Sequence, residues 1–347
     1  MKKLTLMCAF LFSMGVSSKA DACTRVVYKG PSDMVITARS MDWKDEIQAN
    51  LWVFPKGMER SGEVGKNSVK WKSKYGSIIA TAWDIATADG MNEKGLVANI
   101  LWLVESEYAK FDPTGKDKGI TISAWAQYML DNFATVDEAV QEMRKEPFVV
   151  VSDYIPGTQK FSTLHLSLSD AKGDNAILEY IGGKLVIHHN PSYTVMTNSP
   201  VFEQQLALNQ YWKGIPGTII LPGTNRAADR FVRASYYIDA IPQTTDKRIA
   251  VASVFSVIRN CSVPFGISSE TEPNISSTRW RSVADQKDKI YFFETVLTPN
   301  TFWVDLKDFD LSAKGKVMKL SLDNNITYNG KANQSFKEAK PFQFLGI

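Results

Sequence analysis

Strand-forming runs alternate with paired helical segments along the 347-residue chain, and this order restricts the fold more than any other feature. Two β-rich runs come first, two apolar runs follow, and short runs with Gly and Asp/Asn turns then form a meander. The strands predicted in this way are Thr24–Tyr28, Met34–Arg39, Tyr75–Ala82, Leu96–Leu103, Phe161–Ser169, Ala176–Ile181, Lys184–His188 and Tyr193–Thr197. A polar turn at Asp89–Asn92 is expected between the third and fourth of them.

Helical spacing is found in two pairs of adjacent segments, and the second helix begins with a capping box at Thr135–Glu138. The predicted helices are Ile122–Asn132, Val136–Lys145, Ala228–Ala240 and Arg248–Arg259, and late strands are predicted at Lys289–Val296 and Thr301–Leu306. Strand runs between helix pairs predict an α+β sandwich of packed sheets with helices outside. No internal repeat or Pro-, Gly- or Ser-rich linker is present, which favours a single domain.

The N-terminus has the pattern of a removable export peptide. A basic start precedes an apolar stretch over residues 4–16, which is too short to span a bilayer, and Ala20-Asp21-Ala22 matches a small-residue cleavage site. Cleavage after Ala22 divides the chain into a signal peptide, residues 1–22, and a mature domain, residues 23–347. No later stretch reaches the roughly 20 apolar residues of a membrane-spanning helix, so we expect a periplasmic or secreted protein without stable membrane insertion.

Cleavage at that site makes Cys23 the first residue, and two interpretations compete for it. In a lipoprotein this cysteine is acylated, but Ala20 and Asp21 match the required sequence poorly. Alternatively, Cys23 is an N-terminal nucleophile whose own α-amine, with an ordinary pKa of about 7.7 to 8.0, acts as its base. That arrangement needs no histidine.

Composition excludes several classes of function. The 40 basic and 37 acidic residues are spread without blocks, and the net charge of +3 is too small to indicate a nucleic-acid partner. Cysteine and histidine are scarce, with three of each: Cys8, Cys23, Cys261, His165, His188 and His189. This scarcity argues against a disulfide framework, a zinc site or histidine-based catalysis, and no metal or cofactor is expected. Cys261 is interpreted as a buried packing thiol.

The first two predicted strands bring a cation and a carboxylate near Cys23. A turn over Lys29–Asp33 makes them a hairpin, so the second strand returns alongside Cys23, at the edge of a sheet, and delivers Arg39 and Asp42. Arg39 can favour the thiolate, and Asp42 can accept a hydrogen bond from the α-ammonium. A structural ion pair at a strand end is the alternative.

Six short segments, taken together, extend this pattern over nearly the whole mature chain. They resemble, in the same order, motifs of the choloylglycine hydrolase and penicillin V acylase family: Cys23-Thr24, Arg39-Ser40-Met41-Asp42-Trp43, Asn92-Glu93-Lys94-Gly95-Leu96, Met196-Thr197-Asn198-Ser199-Pro200, Leu221-Pro222-Gly223 and Asp229-Arg230-Phe231-Val232-Arg233. Each segment alone is a weak signal, but the joint match is specific.

The resemblance implies an N-terminal nucleophile hydrolase with a four-layer αββα fold that cleaves linear amide C–N bonds and forms homo-oligomers, commonly homotetramers. By motif, Cys23 corresponds to the nucleophile, and Arg39 and Asp42 correspond to residues that hold and polarise it. Asn198 corresponds to the side-chain donor of the oxyanion hole, and Arg230 to a second active-site arginine.

Two departures resemble the Gram-negative branch of that family. Trp102 stands where Gram-positive members carry Asn or Tyr, and the run from Asn198 to Arg230 is shorter than in those members. Trp43 and Trp102 can form an aromatic wall for an aryl or acyl group, although both can equally be ordinary core residues.

The leading hypothesis is therefore an exported cysteine amidase that acts on a small-molecule amide, with a phenoxyacetyl or fatty acyl group. N-acyl homoserine lactones are among its candidate substrates. Hydrolysis of conjugated bile salts is the alternative within the same chemistry. A non-catalytic exported binding protein or lipoprotein is the alternative from another class.

Overall fold

The computed structural model describes residues 23–267, 276–298 and 300–347, and the predicted signal peptide lies outside these ranges. The helices are α1 (Ile122–Asn132), α2 (Val136–Met143), α3 (Phe202–Lys213), α4 (Ala227–Ala240) and α5 (Lys247–Asn260). The strands are β1 (Cys23–Gly30), β2 (Met34–Asp42), β3 (Leu51–Phe54), β4 (Glu59–Ser61), β5 (Lys70–Lys72), β6 (Ser77–Ala82), β7 (Ala86–Asn92), β8 (Val97–Trp102), β9 (Gly119–Thr121), β10 (Val149–Val151), β11 (Leu164–Ser169), β12 (Asn175–Ile181), β13 (Lys184–His189), β14 (Val195–Met196), β15 (Thr278–Asp285), β16 (Ile290–Thr295), β17 (Phe302–Asp305), β18 (Met318–Leu320), β19 (Gly330–Lys331) and β20 (Lys337–Glu338).

Two large sheets form the centre of the molecule. One has seven strands in the order β14-β1-β2-β15-β16-β17-β19, and the other has nine in the order β13-β12-β11-β8-β7-β6-β3-β18-β20. Helices α4 and α5 pack on β1 and β2 of the first sheet, and α1 packs on β7 and β8 of the second. This is the four-layer αββα arrangement, and the predicted fold class is confirmed.

Two apolar clusters hold the layers together. The larger one fills the space between the sheets and continues beneath α4 and α5, with Val26, Ile36 and Phe231 among its members. The second lies between the nine-stranded sheet and the pair α1 and α2, around the wholly buried Trp125. Burial of apolar surface at about 25 cal/mol per Å² makes these clusters the main stabilising contribution.

The hairpin of β1 and β2 forms as predicted. Ser32 and Asp33 in its turn both have positive φ angles, of 57° and 56°, which matches the tight primed turns of hairpins. Cys23 pairs with Met41, so the start of β1 lies beside the end of β2. However, β1 is not an edge strand as expected, because the short strand β14 pairs with it on its other side at Arg25.

Two sequence predictions were wrong in detail, and one helix was missed. Asp89–Asn92 belongs to strand β7 and is not a turn; the chain turns instead at Glu93–Gly95, with Gly95 at a φ of +86°. The predicted four-stranded meander has only three members, because β14 crosses to the seven-stranded sheet. Helix α3 was not predicted, since its sequence is polar and carries only a weak apolar stripe.

None of the helices in the described ranges is long and apolar enough to cross a bilayer. The same ranges contain no group of three or more His, Cys, Asp or Glu side chains arranged to hold a metal ion.

Candidate active site

The candidate site is built on the ends of β1 and β2, and strand alternation divides it between two faces of the sheet. Residues paired across the hairpin share a face, so Cys23 and Met41 lie on the same face as Arg25 and Arg39. The Arg39 side chain on this face reaches the other sheet and donates from Nη1 to the carbonyl oxygen of Ala88 at 2.6 Å. The intervening residues of both strands project towards α4 and α5.

The Cys23 thiol is almost completely buried, at 2% exposure. Its Sγ lies 3.7 Å from Arg39 Nη2, 3.8 Å from Met41 Sδ and 3.9 Å from the carbonyl oxygen of Asp42. Burial raises the pKa of the thiol above its ordinary value, and the positive charge of Arg39 acts in the opposite direction. Arg39 is therefore the group that favours the thiolate at this position.

Asn198 lies just after β14 and forms hydrogen bonds with Cys23, Arg230 and Trp102. Its Oδ1 accepts hydrogen bonds from the Cys23 nitrogen at 2.5 Å and from Arg230 Nη2 at 2.8 Å. Its Nδ2 donates to the carbonyl oxygen of Trp102 at 2.7 Å. An amide nitrogen carries two hydrogens, so one Nδ2 hydrogen remains for another acceptor.

A buried chain of hydrogen bonds supports the segment before Asn198. His165 donates from Nε2 to the carbonyl oxygen of Thr197 at 2.8 Å, and its Nδ1 lies 3.0 Å from Glu179. Burial raises the pKa of Glu179, but hydrogen bonds from His165 and His188 outweigh this effect and hold the value at about 2. These two histidines therefore support the fold beside the site, and neither lines the cavity next to Cys23.

Helix α4 supplies Arg230, whose guanidinium is completely buried beneath the start of β1. It donates from Nη1 to Thr24 Oγ1 at 2.6 Å and from Nε to the carbonyl oxygen of Asn225 at 2.9 Å, and Nη1 also bonds the Cys23 carbonyl oxygen. The same nitrogen lies 4.0 Å from Asp42 Oδ2. Arg230 thus fixes the backbone of the cysteine and pairs with the nearby carboxylate.

Asp42 lies on the helix side of the sheet, and its Oδ1 accepts a hydrogen bond from Thr278 Oγ1 at 2.5 Å. Burial raises its pKa to about 6, against the opposing effects of Arg230 and of the Thr278 hydroxyl. The expected hydrogen bond between Asp42 and the nitrogen of Cys23 is not formed. In the full chain that nitrogen belongs to the Ala22–Cys23 peptide bond and has one hydrogen, which it donates to Asn198.

A cavity of about 110 Å³ opens beside the thiol and is mostly apolar. Trp43 and Trp102 line it together with Cys23 and Arg39, whereas Asp42, Asn198 and Arg230 are outside the lining. The two indole rings meet edge to face, with centroids 5.4 Å apart, and the Nζ of Lys160 lies 4.3 Å and 4.4 Å from their centroids. The predicted aromatic wall of Trp43 and Trp102 is therefore part of this cavity.

Sequence reasoning missed several groups that complete the site. Thr278 bonds Asp42 from β15, Trp83 adds a third indole to the cavity, and Asp89 contacts Arg39 from the opposite sheet. They are distant from Cys23 in the sequence and belong to no short motif, so no local signal identifies them. The remaining cysteine, Cys261, is fully buried, as its interpretation as a packing thiol requires.

The site combines a buried thiol beside a guanidinium with an apolar cavity and an amide that has a free hydrogen. These groups are typical of an amide hydrolase. The profile of the linear amide C–N hydrolases, choloylglycine hydrolase family, matches residues 23–319. The chain therefore belongs to the choloylglycine hydrolase family and is an enzyme that hydrolyses linear amide C–N bonds. The matched region begins at Cys23.

Its similarity to individual relatives shows that the chain is of the penicillin V acylase type. It is 53% identical to penicillin V acylase of Pectobacterium atrosepticum, over 95% of this chain and 94% of that protein. The solved structure of penicillin V acylase from Agrobacterium tumefaciens superposes with a TM-score of 0.89 at 61% identity and covers 94% of this chain and all of its own. A variant of conjugated bile acid hydrolase from Clostridium perfringens shares the fold, with a TM-score of 0.73 at 24% identity, over 88% of this chain and 99% of its own.

The raised pKa of Asp42 predicts a pH dependence of stability. The folded state holds the Asp42 proton up to about pH 6, whereas the unfolded chain releases it near 3.8, so stability falls as pH rises between these values. Wild type should lose about 2 kcal/mol of unfolding free energy between pH 4 and 7 relative to Asp42→Asn, which stays neutral. Urea unfolding of both proteins at several pH values measures the difference. A difference that does not change with pH would contradict the assignment.

Proposed function

We propose that this protein is an exported N-terminal cysteine amidohydrolase that removes a phenoxyacetyl or fatty acyl group from a small amine. The observation that carries the proposal is the position of Cys23, whose thiol lines the apolar cavity while its nitrogen bonds Asn198. One residue thus presents a nucleophile to the acyl side of a substrate and keeps its nitrogen in a polar environment. Identity of 53% to a penicillin V acylase supports the same activity.

The chemistry follows from the groups around Cys23. Its sulfur attacks the amide carbonyl carbon, and the α-amine accepts the thiol proton. The carbonyl oxygen, which becomes negatively charged, is held by the remaining Nδ2 hydrogen of Asn198 and by a backbone N–H, at about 3 to 4 kcal/mol per donor. The ammonium then protonates the leaving amine as the C–N bond breaks. Water finally hydrolyses the thioester and restores the thiol and the free acid.

This mechanism requires removal of residues 1–22. The nitrogen of Cys23 is an amide in the full chain and has no basic lone pair, but cleavage after Ala22 converts it to an amine. Asn198 Oδ1 already accepts from this nitrogen, and Asp42, whose backbone lies beside the Cys23 thiol, is the proposed acceptor for a second hydrogen of the ammonium. Export to the periplasm or beyond is thus part of the proposed activation, and the mature chain of residues 23–347 acts as one domain without a metal or cofactor.

Cavity size and lining favour a narrow acyl group, aryl or linear, over a steroid. Penicillin V carries a phenoxyacetyl group, and the Trp43 and Trp102 rings offer an aryl or alkyl group apolar contact. A volume of about 110 Å³ is well below the roughly 300 Å³ at which drug-sized ligand pockets begin, and a steroid nucleus needs such a pocket. Hydrolysis of conjugated bile salts therefore remains the second candidate. N-acyl homoserine lactones carry a flexible linear acyl chain, so they belong with the first candidate, the removal of a phenoxyacetyl or fatty acyl group.

Self-association is the second part of the proposal. Four large apolar side chains are exposed within a short part of the chain around the end of α3, and we define them as the α3 patch: Leu208, Tyr211, Ile219 and Ile220. Exposed apolar surface of this kind is typical of a contact with another copy of the chain. The homotetramer implied by the resemblance would use this segment.

Replacement of the nucleophile tests the activity. Cys23→Ser should lower kcat for penicillin V by about 100-fold or more, because a hydroxyl is a far weaker nucleophile than a thiol next to Arg39. Cys261→Ala, at the other buried cysteine, should keep kcat within about threefold. Glycodeoxycholate and a long-chain acyl homoserine lactone complete the substrate panel. Full turnover by Cys23→Ser, or none by wild type on all three amides, rejects the proposal.

Mass spectrometry of the protein after export tests the activation step. We expect a chain that lacks residues 1–22 and begins with an unmodified Cys23, since its free amine is the proposed base. A diacylglyceryl adduct on this cysteine would support the lipoprotein interpretation and exclude the mechanism. Retention of Ala22 in a fully active enzyme would also exclude it.

Sedimentation of the mature chain tests self-association. The wild type should sediment as a homotetramer. Ile219→Asp should produce smaller species, because a carboxylate buried in the contact without an opposite charge destabilises that contact. Ile249→Asp introduces the same change at an exposed isoleucine of α5 and should leave the assembly intact. A monomeric wild type contradicts the proposal.

A further inference from the structure

Arg39 is held from the opposite sheet by a carboxylate that belongs to no motif of the chain. Asp89 lies in the middle of β7, and its Oδ2 is 3.8 Å from Arg39 Nη1. In the part of the chain that the structure describes, this is the single ion pair of Arg39. The other nitrogen, Nη2, is the one that faces the Cys23 thiol. One guanidinium therefore joins Asp89 to the sulfur atom.

Three further side chains bind the Asp89 carboxylate. Asn99 donates from Nδ2 to Oδ2 at 2.6 Å and Ser282 donates from Oγ to Oδ2 at 3.2 Å, while the Tyr291 hydroxyl donates to Oδ1. Ser282 and Tyr291 belong to the seven-stranded sheet, whereas Asn99 and Asp89 belong to the nine-stranded one. All four are at most 3% exposed. A carboxylate with three such donors is held in a single orientation.

The guanidinium has little freedom between these groups. Arg39 Nη1 also donates to the carbonyl oxygen of Ala88, the residue before Asp89, and its plane lies over the ring of Trp280 at 4.9 Å from the centroid. Its approach to sulfur, at 3.7 Å from Sγ, is by contrast a long and weak contact. The 2.6 Å bond to the Ala88 carbonyl and the buried charge of Asp89 hold the Nη1 end, and this leaves Nη2 between Met41 Sδ at 3.4 Å and Cys23 Sγ.

We propose that Asp89 is a positioning residue, which holds the Arg39 guanidinium against the Cys23 thiol so that the thiolate is favoured when the enzyme acts on an amide. This inference rests on the proposed function for its effect on turnover, but its effect on the thiol is independent of any substrate. Tyr291, Ser282 and Asn99 keep the carboxylate in place. An Asn side chain at position 89 would place an N–H₂ group against groups that donate to the carboxylate. It would also remove the negative charge that pairs with Arg39.

Alkylation of Cys23 by iodoacetamide, followed by mass spectrometry of its peptide, measures the thiolate directly. In the mature chain, Asp89→Asn should slow alkylation at pH 7 by about tenfold and move the pH midpoint of alkylation upwards by about one unit. With penicillin V, kcat should fall by about tenfold or more while KM stays within about threefold, because the cavity walls are unchanged. Tyr291→Phe should change both readouts in the same direction by a smaller factor and covers the case in which Asp89→Asn does not fold.

Asp131→Asn is the matched control. Asp131 is also completely buried, pairs with Arg60 at 3.3 Å and accepts hydrogen bonds from Trp71 and Gln127, but it belongs to α1 and is remote from the thiol. This variant should lose stability as any broken buried pair does, without a change in the alkylation midpoint.

A double variant that combines Asp89→Asn with Arg39→Met shows whether Asp89 acts on the thiol through Arg39 or only supports the structure. If Asp89 acts through Arg39, then Asp89→Asn added to Arg39→Met should change alkylation by less than about twofold. Full additivity of the two substitutions overturns the proposal, and so does faster or unchanged alkylation in Asp89→Asn. If wild type hydrolyses none of the amides, the proposed function fails, but the alkylation results still decide the role of Asp89.

Discussion

The pairing of β1 with β2, with Cys23 opposite Met41, is the constraint on which the site depends. Because side chains alternate along a strand, this register sends Arg39 to the thiol side of the sheet and Asp42 to the helix side. A shift of one residue would exchange these directions and separate the thiol from its cation. The tight turn at Ser32 and Asp33 and the flanking strand β15, which pairs with Arg39 through Ser282, fix the register from both sides.

Each face of the hairpin also carries one buried pair of opposite charges. Arg39 and Asp89 lie between the sheets, and Arg230 and Asp42 lie beneath α4. An isolated charge at such depth costs many kcal/mol, so the carboxylate beside each of these two guanidinium groups stabilises it. Burial has the largest effect on the pKa of the Cys23 thiol and raises it, while the charges of Arg39 and Asp42 act on that pKa in opposite directions. In the proposed mechanism, activation therefore comes from the orientation of the Arg39 guanidinium and from the α-amine that cleavage after Ala22 would release.

Sequence reasoning reached the parts of this arrangement that are local. The hairpin, the helix pairs and the proximity of Cys23 to Arg39 and Asp42 all follow from short turns and regular spacing. Asn198 and Arg230 have no such signal and entered through the resemblance to a family. Physical chemistry explains this limit, because their contacts with Cys23 join segments 175 and 207 residues apart.

Asp89 shows a different kind of limit. The sequence Asp-Gly-Met-Asn at residues 89–92 has the composition of a turn, yet it forms the second half of strand β7. Gly90 is needed there because a Cβ atom would lie 2.7 Å from the carbonyl oxygen of Ile78 and 2.9 Å from Leu130 of α1, which packs directly on this strand. Asp89 is needed because Arg39 projects from the opposite sheet. Both reasons are tertiary, and a local pattern cannot contain them.

The hydrogen bonds of Asn198 determine how its amide is oriented. Its Oδ1 accepts from two donors, Cys23 and Arg230, and its Nδ2 donates to a carbonyl, so a rotated amide would oppose donors to donors and acceptor to acceptor. One hydrogen on Nδ2 is then the only part of the amide left for a developing oxyanion. Trp102 holds that nitrogen through its backbone carbonyl and also lines the cavity, so in the proposed mechanism the residue beside the acyl group would also direct the oxyanion donor. The proposal therefore joins acyl binding and carbonyl polarisation through a single residue of β8.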